Sequence, residues 1–279
     1  MKNAAAWAAQ EASQVNETSG RTRRGVRRIR DELVYTLLRI LVLAVVLGTW
    51  QVLAATNLLN QTFVSSPYSV AIGFWDLIVT PGPFWSDFSS TVSATAIAFV
   101  IAVPLGTAIG LVLGTLPRVD RVLGPFLVPL NTVPRTALVP LFILWFGLGQ
   151  IAKIVLAVSL VGFLLLFNAR AGIRNVDPDV ITVSRILGVS RLRFVLNVIL
   201  PASVPIIFAG IRIGLTYCLL GVVSSEMIAS RAGIGQLVIN YGDELDVQGI
   251  LSVVLALMIL VAVVGALLDG LERYFLRWQ

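Results

Sequence analysis

Few residues in this chain are equipped to act on a bound molecule. Its 279 positions hold no histidine, which removes the commonest general base and metal ligand. The one cysteine, Cys218, stands inside an apolar run, so an internal disulfide and a multi-cysteine metal site are excluded. Neither Lys2 nor Lys153 is surrounded by the paired glycines and hydroxyl residue of a phosphate loop. Serines and threonines are scattered without a base and an orienting group. The chain itself is therefore expected to be non-catalytic and to carry no metal or cofactor.

What remains is a handful of ionisable residues set in apolar surroundings. Arg212 lies about eleven residues past Pro201, near the middle of a membrane span at about 1.5 Å of rise per residue. An arginine there costs roughly 2.5 to 3.5 kcal/mol on insertion, offset by the valine, isoleucine, leucine and phenylalanine residues around it. Arg212 is thus expected to face the protein interior. Two roles stay open: a positive charge lining a translocation path, or a structural arginine bonded to carbonyls or an acid. Glu226, preceded by Ser224 and Ser225 and followed by Gly233 and Gly235, ends an apolar run. It reads either as a gate residue or as an interfacial carboxylate solvated by water. Arg135, after Pro134, is placed near the cytoplasmic end of its run, where arginine snorkels to the interface.

The elements that carry these residues are membrane helices. Hydrophobic residues make up 57% of the chain and charged residues 13%, far from the balance of a soluble domain. Continuous apolar runs near 33–55, 91–115, 122–147, 151–168, 195–223 and 249–268 approach the roughly 20 residues of helix that cross a bilayer. Their continuity argues against the alternating segments of a barrel. An all-α membrane protein with about six spans is expected.

Charge supplies the orientation. Arg21, Arg23, Arg24, Arg27, Arg28 and Arg30 precede the first span, Arg118 and Arg121 follow the second, and Arg170, Arg174, Arg185, Arg191 and Arg193 lie between the fourth and fifth. All fall on one side, so both termini are expected in the cytoplasm. The net charge of +6 is explained by topology better than by nucleic acid, because no aromatic residues beyond Trp7 interleave the basic tail. The first run is too long for a signal-peptide core and is read as a retained anchor.

Three local patterns refine the spans. Ser66 and Pro67 open a short helix carrying Val70, Phe74, Leu77 and Ile78, closed by Thr80, Pro81, Gly82 and Pro83. Gly106, Gly110 and Gly114 form a ridge on the second span where another helix approaches closely, either within one subunit or across a dimer seam. Pro104 should kink that span, and Pro125, Pro129, Pro134 and Pro140 should break the third.

The stretch from Asn175 to Pro201 between the fourth and fifth runs is the most specific. Asp177 caps a helix, Pro178 suits its first position, and Asp179 complements the positive end of the dipole. Val180, Val183 and Leu187 share a face with Ile186 beside them, Gly188 ends the helix, and Ser190 caps the next. A helix this short is not stable alone in water, so its apolar face needs something to pack against.

Here the chain resembles the permeases of binding-protein-dependent ABC importers. Their signature loop runs glutamate and two alanines, three residues, a glycine, nine residues, then isoleucine, any residue, leucine and proline. Gly188, Leu200 and Pro201 keep that spacing, while Thr182, Val183 and Ser184 replace the opening residues and Val198 the isoleucine. Residues 134–154 and 221–235 and the SSPYSVAIGFWDL segment resemble the nitrate, sulfonate and taurine subgroup, so the likeness covers roughly 65–270.

The resemblance implies a type I ABC importer permease fold: a basic cytoplasmic tail at 1–31, a transmembrane domain at 32–279, and an ATPase-coupling loop at about 172–194. It implies ATPase partners that bind ATP and magnesium, an external solute-binding protein, a second permease copy and a bacterial inner-membrane location. The coupling residues would be Asp179, Thr182, Val183, Ser184, Leu187, Gly188, Leu200 and Pro201, with Arg212, Ser225 and Glu226 at the pathway or gate. The solute would be a small anion such as a sulfonate, nitrate or carboxylate. The main rival is an ion-coupled secondary transporter, which ordinarily carries deep intramembrane acids that this reading does not find.

Overall fold

A computed structural model describes residues 32–56 and 63–275; the basic tail at 1–31 lies outside them. The described residues are helical, with no strand among them. The chain divides into two compact units, Met1–Tyr68 and Ser69–Gln279.

In the first unit, α1 (Glu32–Ala55) exposes apolar side chains along most of its length, as a helix bathed in lipid does. The Trp50 indole N–H donates to the Ser65 carbonyl (2.8 Å) and the Tyr68 N–H to Gln51 Oε1 (3.3 Å), which ties the following segment back to the end of α1.

Helix α2 (Pro67–Val79) begins at the expected proline and lies almost wholly in the second unit. Then come α3 (Phe84–Thr115), α4 (Pro117–Thr132), a 3₁₀ turn (Arg135–Leu138), α5 (Val139–Phe146) and α6 (Gln150–Arg174). The short α7 (Pro178–Ile186) and α8 (Arg191–Phe194) lead through a π-turn (Val195–Ile199) into α9 (Leu200–Ile228), followed by α10 (Ile234–Asp243) and α11 (Val247–Phe275). Five described helices are long and apolar enough to cross a membrane, and α4 with α5, bent by 83° at the break, brings the count to six when the pair is taken as one span. The runs read from hydropathy fall on these five helices and the bent pair.

Helix α6 is the spine of the second unit, packed along both α3 and α9. Small residues permit the approach: Ala94, Ala98 and Ala102 of α3 meet Ala157, Val161 and Leu165 of α6 and Cys218 and Val222 of α9. The glycine ridge belongs to this seam. A Cβ at Gly106 would sit 2.5 Å from the Gly162 carbonyl, one at Gly110 would meet Leu166 O and Ala169, and one at Gly114 would meet Ile173. Of the two uses left open for the ridge, the structure shows packing within one chain.

The prolines act less uniformly than expected. Helix α3 stays continuous through Pro104, and α4 through Pro125 and Pro129. The third span breaks at Val133, whose extended backbone (ψ 125°) follows from its place before Pro134. Pro134 has no N–H for the Leu130 carbonyl four residues back, and Arg135 Nη2 supplies the missing donor at 2.8 Å. Thr132 Oγ1 donates to Pro129 O (2.7 Å) in the same way.

Candidate functional site

The loop between α6 and α9 is built as a stub on a rooted base. Ile173, Val176 and Ile199 are buried together, with Leu111, Phe194 and Val195 packed around them, which fixes both ends of the loop to the spans. The Asp179 N–H donates to Asp177 Oδ1 (2.8 Å), the expected N-cap, and Pro178 takes the first helical position. At the other end Gly188 adopts φ +64° and the Val189 N–H reaches the Ser184 carbonyl (3.2 Å), a left-handed closure that turns the chain sharply away. A Cβ at Gly188 would meet nothing within 4 Å, so the demand for glycine there is one of backbone conformation, not space.

The stub's side chains divide cleanly. Ser184 is buried and its hydroxyl donates to Val180 O (2.8 Å). Asp179 and Thr182 are exposed. Val180, Val183, Ile186 and Leu187 form an exposed apolar face, with Ile186 and Leu187 open to 79% and 73%. Leu200 closes the π-turn through its N–H to Val195 O, and Pro201 occupies the start of α9. The geometry is that of a short amphipathic helix held beyond the ends of the spans with its oily side uncovered.

At the opposite end of α6 lies a second constellation, which spacing arguments did not assemble. Glu226, in the last turn of α9, is fully buried, and Lys153, in the first turn of α6, is 4% exposed. Lys153 Nζ stands 3.0 Å from Glu226 Oε1 and also donates to the Ala232 carbonyl (2.5 Å). The Thr91 hydroxyl lies 2.9 Å from both carboxylate oxygens and accepts from the Ile234 N–H, while the Gly235 N–H donates to Oε2 (2.9 Å). Asp87 Oδ1 accepts from the Gly233 N–H (2.7 Å). One network thus pins the starts of α3, α6 and α10 to the end of α9.

The glycines named beside Glu226 now have reasons. Gly233 holds φ +128°, and a Cβ there would overlap the Glu226 carboxylate; one at Gly235 would fall 2.6 Å from Glu226 Cβ. The picture of Glu226 as a water-solvated edge residue is corrected: it is a buried carboxylate, and Ser225 beside it is buried too. Glu226 keeps its expected place at the end of its span, and Lys153 balances its charge internally. The signal was present as a lone lysine opening one apolar run and a lone glutamate closing another at the same end.

Arg212 does not point an unpaired charge into the interior. Its side chain is half exposed and pairs with Asp269 (2.9 Å) and Glu272 near the end of α11. Of the two roles left open, the acid-bonded one is what the structure shows. Asp120 of α4 likewise takes Arg170 (2.7 Å) and Arg174 of α6.

Arg135 is displaced from where the sequence put it. It lies in the 3₁₀ turn at the break of the third span, its guanidinium 4.2 Å from the centroid of the Phe163 ring. Phe163 is thirteen residues into α6, about 20 Å from its start, so the Arg135 guanidinium lies level with the middle of α6 and not with either of its ends.

Comparison with known proteins decides what this architecture is. Residues 102–279 match the family described as binding-protein-dependent transport system inner membrane component. The chain belongs to that family. The permease is 30% identical to the nitrate import permease protein NrtB of Leptolyngbya laminosa over 239 residues, 82% of each chain. It is 29% identical to the taurine transport system permease protein TauC of Escherichia coli over 244 residues, 85% of this chain and 88% of that one. Its fold is shared with a solved inward-facing MetNI methionine ABC transporter chain, at a TM-score of 0.54 and 18% identity over 75% of this chain and 96% of that one. The permease is thus an all-α, multi-pass membrane subunit of an ABC importer with the type I fold.

Proposed function

We propose that the permease works as one of two identical copies, driven by separate ATPase subunits that dock on α7 and loaded from outside by a solute-binding protein. The observation that carries this reading is the exposed apolar face of Val180, Val183, Ile186 and Leu187 on a helix too short to be stable unaided. A groove on each ATPase would cover that face, and closure of the ATPase pair would move both stubs and, through the rooted base of the loop, α6 and α9. The permease would hold no nucleotide, metal or cofactor of its own; ATP and magnesium would stay with the ATPases. Both termini would be cytoplasmic, on the side of the Arg118, Arg121, Arg191 and Arg193 cluster. The solute would be a small anion such as a sulfonate, nitrate or carboxylate, in keeping with relatives whose names specify taurine and nitrate.

Coupling of this kind is reciprocal, so solute loading should raise ATP turnover. The decisive variant is Val183→Asp with Leu187→Asp, which places two charges on the docking face. In proteoliposomes holding permease, ATPase and binding protein, it should abolish ATPase retention and uptake while the permease still folds and inserts. Wild-type levels of both would refute the assignment. Uptake that stops with an uncoupler while ATP stays high would favour the ion-coupled rival, which the internal neutralisation of Glu226 by Lys153 speaks against.

A further inference from the structure

The break in the third span leaves non-helical backbone at mid-membrane depth. Val133 and Pro134 are exposed there, and Asn131, Thr132 and Thr136 beside them are exposed polar residues. Irregular backbone and polar side chains at this depth are tolerated against protein or water and not against lipid. The cation at the centre of the patch also differs from the basic residues packed along α6 and α9. Lys153, Arg170, Arg174 and Arg212 each face a carboxylate. Among the described residues Arg135 faces none: its guanidinium donates once, to Leu130 O, and rests on Phe163. A guanidinium carries five N–H donors in a planar fork that fits a two-oxygen anion edge-on. Most of that fork is still unused.

We propose that the break lines a water-filled passage in the assembled transporter, and that Arg135 is the residue that recognises a small oxyanion on its way through. The proposal rests on the importer reading and deepens it by placing an anion site in the permease itself. Phe163 backs the guanidinium from one side, the Leu130 carbonyl left without a donor by Pro134 fixes one edge, and the remaining edge meets the solute. Thr132 and Thr136 supply polar walls. Sulfonate, nitrate and carboxylate each present an edge of two anionic oxygens to this fork, and a neutral heterocycle of similar size does not match its charge.

Two measurements on the full complex in proteoliposomes test this. The first is the reactivity of Arg135→Cys with the membrane-impermeant thiol reagent 2-sulfonatoethyl methanethiosulfonate, with buried Cys218 as the internal reference. The variant should label at least about tenfold faster than Cys218 in either the nucleotide-free or the vanadate-trapped state. Labelling no faster than Cys218 in both states would overturn the passage. The second is ATP-driven uptake of nitrate, ethanesulfonate and benzoate, with thymine and riboflavin as neutral members. Arg135→Gln should lose anion uptake by about tenfold or more and Arg135→Lys should recover part of it. Equal uptake by wild type and Arg135→Gln would overturn the anion site. Collapse of the permease pair in Arg135→Gln and not in Arg135→Lys, read by light scattering, would overturn it in favour of an ion pair with the second copy. Wild-type uptake of the neutral members alone would sink the anion site and leave the importer reading standing; no ATP-driven uptake at all would sink both.

Discussion

Replacing Lys153 with methionine keeps most of the aliphatic stem and removes the charge. Glu226 is then a fully buried carboxylate whose remaining donors are the Thr91 hydroxyl and the Gly235 N–H. Breaking a buried pair from one side costs about 3 to 5 kcal/mol, because an uncompensated charge is left behind. That is a large part of the roughly 5 to 15 kcal/mol that separates a folded domain from its unfolded state. For a chain of this size each kcal/mol moves the melting temperature by about 2 to 4 °C, so Lys153→Met should melt about 10 °C below wild type in detergent. Glu226→Gln should also melt low, since the buried Lys153 ammonium loses its counter-charge and is left with neutral acceptors, the new amide oxygen, the Ala232 carbonyl and the longer contact to Ser90 Oγ (3.4 Å). The double variant removes both charges and should be more stable than the two single losses added together, by at least about 1 kcal/mol. A Lys153→Met melting point within about 1 °C of wild type, or strictly additive losses, would show that the network around Glu226 does not hold the four helices together.

The turn at Gly188 should respond to backbone conformation and not to bulk. Gly188→Ala places a side chain at φ +64° at a cost of about 1 to 2 kcal/mol, lowering affinity for the ATPase by roughly tenfold, whereas Gly188→Asn should lose distinctly less because asparagine visits this region. Equal losses, measured by titrating ATPase onto permease in nanodiscs, would refute the conformational account. Along the α3–α6 seam, Gly110→Leu forces a side chain onto Leu166 O and Ala169 and should lower the melting temperature by several degrees, since overpacking costs about 1 to 3 kcal/mol. Gly265→Leu, where a Cβ meets nothing within 4 Å, is the matched control and should melt as wild type.

The spans, the stub and its caps were legible in the sequence because they follow from local and periodic properties. Apolar length gave α1, α3, α6, α9 and α11, and the Asp177, Pro178 and Gly188 spacing gave α7 nearly to the residue. The pairings were not legible, because a partner is chosen by which helices touch and not by spacing along one of them. Lys153 and Glu226 are 73 residues apart, Arg170 and Asp120 are 50, and nothing in either run names the other. Arg212 and Arg135 exchanged expectations for that reason. The first has Asp269 and Glu272 within reach across a helix interface, and the second has, among the described residues, a carbonyl and a ring. The depth of Arg135 also needed the fold, since the third span bends by 83° and its residue count no longer measures distance across the membrane.

Both ends of α6 are held by a buried carboxylate, but with different completeness, and the difference bears on how a push at α7 would travel. At the Lys153 end the helix is pinned by a buried charge and by hydrogen bonds to α3, α9 and the turn before α10. At the α7 end it is joined to α4 through the buried Asp120, which takes the mostly buried Arg170 and the half-exposed Arg174, and to the loop through the small apolar base of Ile173, Val176 and Ile199. The half-exposed Arg174 pair is weak and rearranges readily, whereas the fully buried Lys153–Glu226 pair resists any change that would leave one charge alone. Between them α6 lies against α3 on glycine and alanine, with backbone and side chains too close for independent bending. On the proposed docking of the ATPase, force applied at α7 would therefore pivot α6, α3 and α9 as one body about the Lys153 end. The largest displacement would occur near the ATPase, and the broken third span, linked to α6 through Arg135 and Phe163, would be carried with them at mid-membrane.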